Sequence, residues 1–114
     1  MSLALAAAML AGQAAMPEPP PGLLFGYYRM FAFQQRAKEL HCPAGNLDSE
    51  LETIRTQLIR RYGKKPFSPP RPPPGGPGDC ETAVVVYRVN LTDFRKEAAA
   101  ALAAPVPIIS TPAE

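Results

Sequence analysis

The prolines decide where this chain can be regular. Proline fixes its own φ, has no N–H to give, and pushes the residue before it out of the helical region. All of the 15 prolines except Pro43 fall in three clusters, Pro17–Pro21, Pro66–Pro77 and Pro105–Pro112. Regular structure is confined to the stretches between them, and Pro43 divides the first stretch in two. Of the 114 residues, roughly 60 are then left to pack. At that size one core supplies only a few kcal/mol, and an added staple is expected. The length allows a single domain.

The two cysteines, Cys42 and Cys80, are the natural staple. An even cysteine count in an exported chain reads as a bridge. Closing a loop of roughly 37 residues contributes about 3–4 kcal/mol in the chain-entropy picture. The plainer alternative is a pair of buried thiols in a reducing compartment. Export is suggested by residues 1–16, which carry no charge and set Leu3, Leu5, Met9 and Leu10 among alanines. Gly12, Ala14 and Ala15 supply small residues for cleavage, so residues 1–15 read as a signal peptide, although no Lys or Arg precedes the apolar run. An Ala-rich helix is the other reading, and Pro17–Pro21 would cut it off from the fold. Periplasm or secretion is the expected location. Residues 16–22 then form a Pro-rich N-terminal segment ahead of a helical domain over 23–104.

Three helices are expected in that domain. The first, over 23–41, has Leu23, Tyr27, Met30, Ala37 and Leu40 at helical spacing. Leu24, Tyr28, Phe31 and Phe33 widen the apolar arc, which suggests a helix touching two neighbours, and Pro43 stops it. The second, over 48–62, carries the stripe Leu47, Leu51, Ile54, Leu58 and Tyr62. Asp48 or Ser49 is the expected cap, with Ser49 and Glu52 fitting a capping box. Acids open this helix and Arg60 and Arg61 close it, which suits the macrodipole, and Gly63 follows as a C-terminal cap. Residues 64–79 read as an extended, semi-rigid linker. The third helix, over 80–103, starts at an Asp79 cap and places Cys80, Val84, Tyr87, Leu91, Phe94, Ala98 and Leu102 on one face. Thr82–Val89 is β-branched enough to suggest a strand instead, but no other segment offers it a partner. Residues 105–114 read as an extended or disordered tail.

The expected fold is all-α: a small three-helix bundle with a long Pro-rich crossover linker and one disulfide. A bridge from Cys42 to Cys80 holds the end of the first helix within about 6 Å of the start of the third. The second helix, roughly 22 Å long, must be retraced by the linker. The second and third helices should therefore be parallel, both antiparallel to the first, with the first as their shared neighbour.

Function is much less legible. A net charge of +2, from 12 basic and 10 acidic residues, is too balanced for general nucleic-acid binding. No segment reaches the about 18–20 apolar residues of a membrane span. The sequence has no Gly-rich phosphate loop, H-E-x-x-H, Ser-centred elbow or paired acids. Two Cys and one His do not complete a tetrahedral metal set, so no cofactor, metal or catalytic set is expected. Asn90-Leu91-Thr92 matches a glycosylation sequon, a motif common by chance.

Several surfaces remain to be explained. Arg60, Arg61, Lys64, Lys65 and Arg71 have no acid among them and read as an anion-binding patch, or more plainly as dipole complement and solvated loop. Val85, Val86 and Val89 lie opposite the core face of the third helix and form a candidate partner surface, or pack internally. Pro69–Pro74 resembles a polyproline ligand, with a spacer as the plainer role. His41, beside Cys42, is a capping residue or a pH sensor. Phe25, Tyr27, Tyr28, Phe31 and Phe33 line a cavity or simply the core. The leading expectation is a non-enzymatic binding or regulatory protein with a protein partner in the cell envelope. The alternatives are a thiol-dependent enzyme using Cys42 and His41, and a carrier of a small apolar ligand.

Overall fold

A computed structural model describes residues 17–105. The expected signal peptide, residues 1–15, and the tail beyond Pro105 lie outside the described residues. Among those described, the chain is all-helical: α1 (Pro21–Glu39), α2 (Gly45–Tyr62), a short 3₁₀ turn (Lys65–Phe67) and α3 (Cys80–Ala103). Cys42 and Cys80 form a disulfide with their Cα atoms 5.3 Å apart.

Helix α1 starts at Pro21, two residues before the expected Leu23. Proline at the first helical position loses nothing, because that N–H has no intrahelical acceptor. Its other end falls at Glu39 rather than His41. His41 adopts φ 56°, its N–H donates to the Lys38 carbonyl, and the Cys42 N–H reaches back to Ala37 at 2.8 Å. Those two bonds are the Schellman closure, with histidine where glycine is usual. The termination is thus built into the backbone before Pro43 acts, and it fixes where Cys42 emerges.

Helix α2 begins at Gly45, three residues before the expected start, and Ala44 caps it without a side-chain bond. The Ser49–Glu52 capping box does not form. Ser49 lies inside the helix and its carbonyl accepts from the Thr53 hydroxyl, while Glu52 pairs with Arg55 at 3.2 Å. Asp48 has different work. Its Oδ1 accepts from the Tyr87 hydroxyl at 2.8 Å and from Gln34 at 3.4 Å, joining all three helices at one carboxylate. The buried stripe is Leu51, Ile54, Leu58 and Tyr62, with Leu47 and Ile59 partly covered. Gly63, at φ 90°, closes the helix.

Helix α3 takes up the β-branched Thr82–Val89 stretch without a strand. Asp79 accepts from the Thr82 N–H at 2.8 Å and from its hydroxyl at 3.1 Å, capping the first turn. Ala83, Tyr87, Leu91, Phe94 and Ala98 are buried, while Cys80, Val84 and Leu102 are half-buried.

Antiparallel packing of α1 on α3 follows from the bridge at one end and from Gly26 at the other. A Cβ on Gly26 would stand 3.0 Å from the Phe94 ring, so the absent side chain lets the two helices close. α2 runs parallel to α3: Asp48 meets Tyr87, Glu50 meets Arg95 at 2.9 Å, and Arg61 reaches the Leu102 carbonyl at 3.0 Å. The neighbour shared by both other helices is α3, not α1 as expected. What separates α1 from α2 is Phe67. It is fully buried, edge-on to Tyr27 at 5.5 Å and tilted against Tyr62 at 6.2 Å. Residues 64–79 are therefore not all spacer, since their first turn supplies a core side chain. The broad apolar arc of α1 is met by α3 on one flank and by this turn on the other.

Candidate functional site

The return path from α2 to Cys80 creates a concavity on the outer side of α1. Past Phe67 the chain has to reach the bridged end of α1, and it does so along the outer side of that helix. Backbone carbonyls on this path have no helix or ladder partner, and side chains of the bundle supply the donors. The Tyr28 hydroxyl donates to the Pro66 carbonyl at 3.1 Å, Arg55 Nε to Phe67 at 3.0 Å, and Arg36 Nε to Pro77 at 2.7 Å. Gly76, at φ 118°, lies against the Arg36 stem, where a Cβ would stand 3.3 Å from Cγ.

Between helix and returning chain lies a groove of about 440 Å³. Phe25, Tyr28, Phe31 and Ala32 line it from α1, and Pro69–Pro73 line it from the other side. Phe25 is 75% exposed and Tyr28 42%, although the core a few residues away is closed. Arg29 and Arg71 are the only charged residues of the lining. The volume lies within the range of about 300–1,000 Å³ usual for small-molecule sites, which are likewise mostly apolar with a few polar groups.

The aromatic residues singled out from the sequence divide between two roles. Tyr27 is core, and burial pushes its hydroxyl above the usual tyrosine range. Phe33 is partly buried against the core. Phe25, Tyr28 and Phe31 line the groove. Its other wall, Pro69–Pro73, had no sequence signal linking it to these aromatics. The two walls are some 40 residues apart, and only the fold brings them together.

The basic set is not one surface. Arg61 is half-buried and donates to the Leu102 and Ala104 carbonyls, closing the C-terminal end of α3. Arg71 lies in the groove. Arg60, Lys64 and Lys65 are exposed near the end of α2. On α3, Val85 is 47% and Val89 57% exposed, whereas Val86 is half-buried. Glu81, Arg88, Asp93 and Lys96 are exposed on the same helix, so the exposed valines are two apolar positions on a charged surface. Cys42 and Cys80 are both in the bridge, leaving no free cysteine. His41 is exposed and acts through its backbone.

Two other ionisable groups are perturbed, and both serve the fold. Burial, reinforced by the bond to Asp48, pushes the Tyr87 hydroxyl far above the tyrosine range. The Thr82 N–H and then its hydroxyl hold the Asp79 carboxyl below the usual carboxylate range. Among the described residues, no group of three or more His, Cys, Asp or Glu side chains could hold a metal ion, and no helix is long and apolar enough to cross a membrane. No protein-family model, curated protein or solved structure matches the chain.

Proposed function

We propose that this is a small exported binding protein of the cell envelope. On this reading, residues 1–15 direct export and are removed, and the Cys42–Cys80 bridge forms in the oxidising compartment. The groove between α1 and Pro69–Pro73 receives a ligand with an apolar body. The groove is the observation that carries the proposal. Aromatic side chains on the first half of α1 stay open to solvent, while the proline run opposite them is anchored on either side by hydrogen bonds to the Pro66, Phe67 and Pro77 carbonyls. The bridge supports the compartment, since disulfides persist where the surroundings oxidise. With both sulfurs engaged, a Cys42–His41 nucleophile has no thiol to use.

Titration of an environment-sensitive apolar dye tests the binding. The native protein should show saturable one-site enhancement, and Phe25→Asp should weaken it at least tenfold with little change in melting temperature, because Phe25 is outside the core. Equal enhancement in both proteins sinks the proposal. The mass and thiol content of the protein recovered from the envelope test export: the expected product lacks about 15 N-terminal residues and has no free thiol.

A second surface follows from the exposure of Val85 and Val89, which project from adjacent turns of α3. It suits a protein partner. Val85→Asp with Val89→Asp should abolish capture of that partner from the envelope, and recovery of the same proteins by both versions rules this surface out.

A further inference from the structure

The charges of the groove restrict its ligand. Arg29 and Arg71 both line it, one from the helix and one from the proline run, and no acidic residue does. Neither guanidinium has an ion-pair or hydrogen-bond partner among the described residues. Arg36, Arg55, Arg61 and Arg95 each have one; Arg60 and Arg88 do not, but neither of them lines the groove. The surroundings are phenyl, phenol and pyrrolidine rings. An apolar cleft with two unpaired guanidiniums complements a molecule with a long apolar body and one anionic head. A guanidinium is suited to a planar carboxylate, which it grips through two parallel hydrogen bonds.

The walls also argue against an extended peptide held by strand pairing. Peptides are commonly held by adding a strand to a free backbone edge. One wall here is a helix whose N–H and C=O groups are used internally. The other is proline-rich, and proline has no N–H to donate. Recognition therefore rests on side chains and on proline carbonyls, which accept but do not donate, on a volume of small-molecule size.

We propose that the groove binds an aliphatic monocarboxylate of the free fatty-acid class. The chain lies along Phe25, Tyr28 and the proline run, and the carboxylate is held by Arg29 and Arg71. This rests on the groove being a ligand site, as argued above, and adds the ligand's chemistry.

Calorimetric titration of the purified, disulfide-bonded protein tests it, using dodecanoate, decanoate and dodecanol below their aggregation concentrations. Dodecanoate should bind with one-to-one stoichiometry at least tenfold more tightly than dodecanol, the scale of a hydrogen bond to a charged group. Decanoate should be weaker than dodecanoate by about two- to fourfold per methylene lost. Arg29→Gln with Arg71→Gln should bring dodecanoate down to the level of dodecanol and leave dodecanol unchanged. Both positions are exposed, and the comparison of the two ligands on the native protein stands without the variant. If dodecanol binds as tightly as dodecanoate, the groove remains a binding site but the carboxylate assignment is wrong. If no probe binds saturably, the groove reading fails with it. Displacement of the dye by an acidic apolar peptide but not by dodecanoate also overturns the proposal.

Discussion

Replacing Cys42 and Cys80 together with serine should remove a large share of this protein's stability. The bridge joins positions 38 apart. In the chain-entropy model a loop of that size lowers the entropy of the unfolded chain by about 13 cal/mol/K, or about 4 kcal/mol at 25 °C. Nothing polar is orphaned by the change, since both cysteines are half-buried at the rim of the bundle. For a folded unit of this size, about 4 kcal/mol corresponds to a drop of roughly 15–30 °C in melting temperature. Urea unfolding followed by circular dichroism measures the effect on oxidised protein, on protein reduced in place, and on the double-serine variant. The last two should agree, and both should show a steeper dependence on urea, because an unlinked chain exposes more surface on unfolding. A double-serine variant within about 1 kcal/mol of the native protein would refute the reasoning. It would mean that α3 is held by its packing on α1 and α2 alone.

Phe67→Ala should cost about 3–5 kcal/mol by urea unfolding, the usual penalty for emptying a closed aromatic site, since Phe67 is fully buried between Tyr27 and Tyr62. His41→Gly should raise stability by about 0.5–1 kcal/mol in the same assay, because φ 56° strains a residue with a Cβ and suits glycine. The Tyr87 hydroxyl has its ionisation raised above the unfolded value of 10.0, so the native state keeps a proton that the unfolded state loses. Its contribution is fully present below about pH 10 and then falls with a limiting slope of about 1.4 kcal/mol per pH unit. Tyr87→Phe should flatten this alkaline decline in melting temperature.

Much of the fold was readable because periodicity survives context. The Asp79 cap, the Gly63 stop, the α2 stripe from Leu51 on and the Tyr87–Ala98 part of the α3 face all depend on local spacing, and they appear where the spacing puts them, with Ala83 buried in addition. The ends of α1 shift for backbone reasons, and the misplacements elsewhere occur where a side chain has a tertiary use. Ser49 and Glu52 fit a capping box in isolation, but a helix starting at Ser49 would not set Leu47 and Asp48 on the first turn. Leu47 packs on the core from that turn, and Asp48 there reaches Gln34 and Tyr87. Local pattern carries no information about that acceptor. Assigning α1 as the shared neighbour failed for a similar reason. The width of its apolar arc does reflect two contacts, but one of them is a 3₁₀ turn carrying a single phenylalanine.

That phenylalanine also explains why the groove was not legible. The bridge requires the chain to travel back along the bundle after α2, a distance of about 27 Å for 18 helical residues, but it does not say over which surface. Phe67 decides this by seating between Tyr27 of α1 and Tyr62 of α2. Once it is fixed there, the Tyr28 hydroxyl takes the Pro66 carbonyl and Arg36 takes that of Pro77. Both donors belong to α1, so the prolines between these anchors are laid beside the outer face of that helix. Because proline has few conformations and no N–H, the run spans the face without collapsing onto it. The concavity is then a consequence of two anchors on one helix and a stiff segment between them, with Phe25 exposed beneath. Removing the Tyr28 hydroxyl by Tyr28→Phe loosens one anchor while leaving the ring in the lining. It should weaken ligand binding with little effect on the melting temperature.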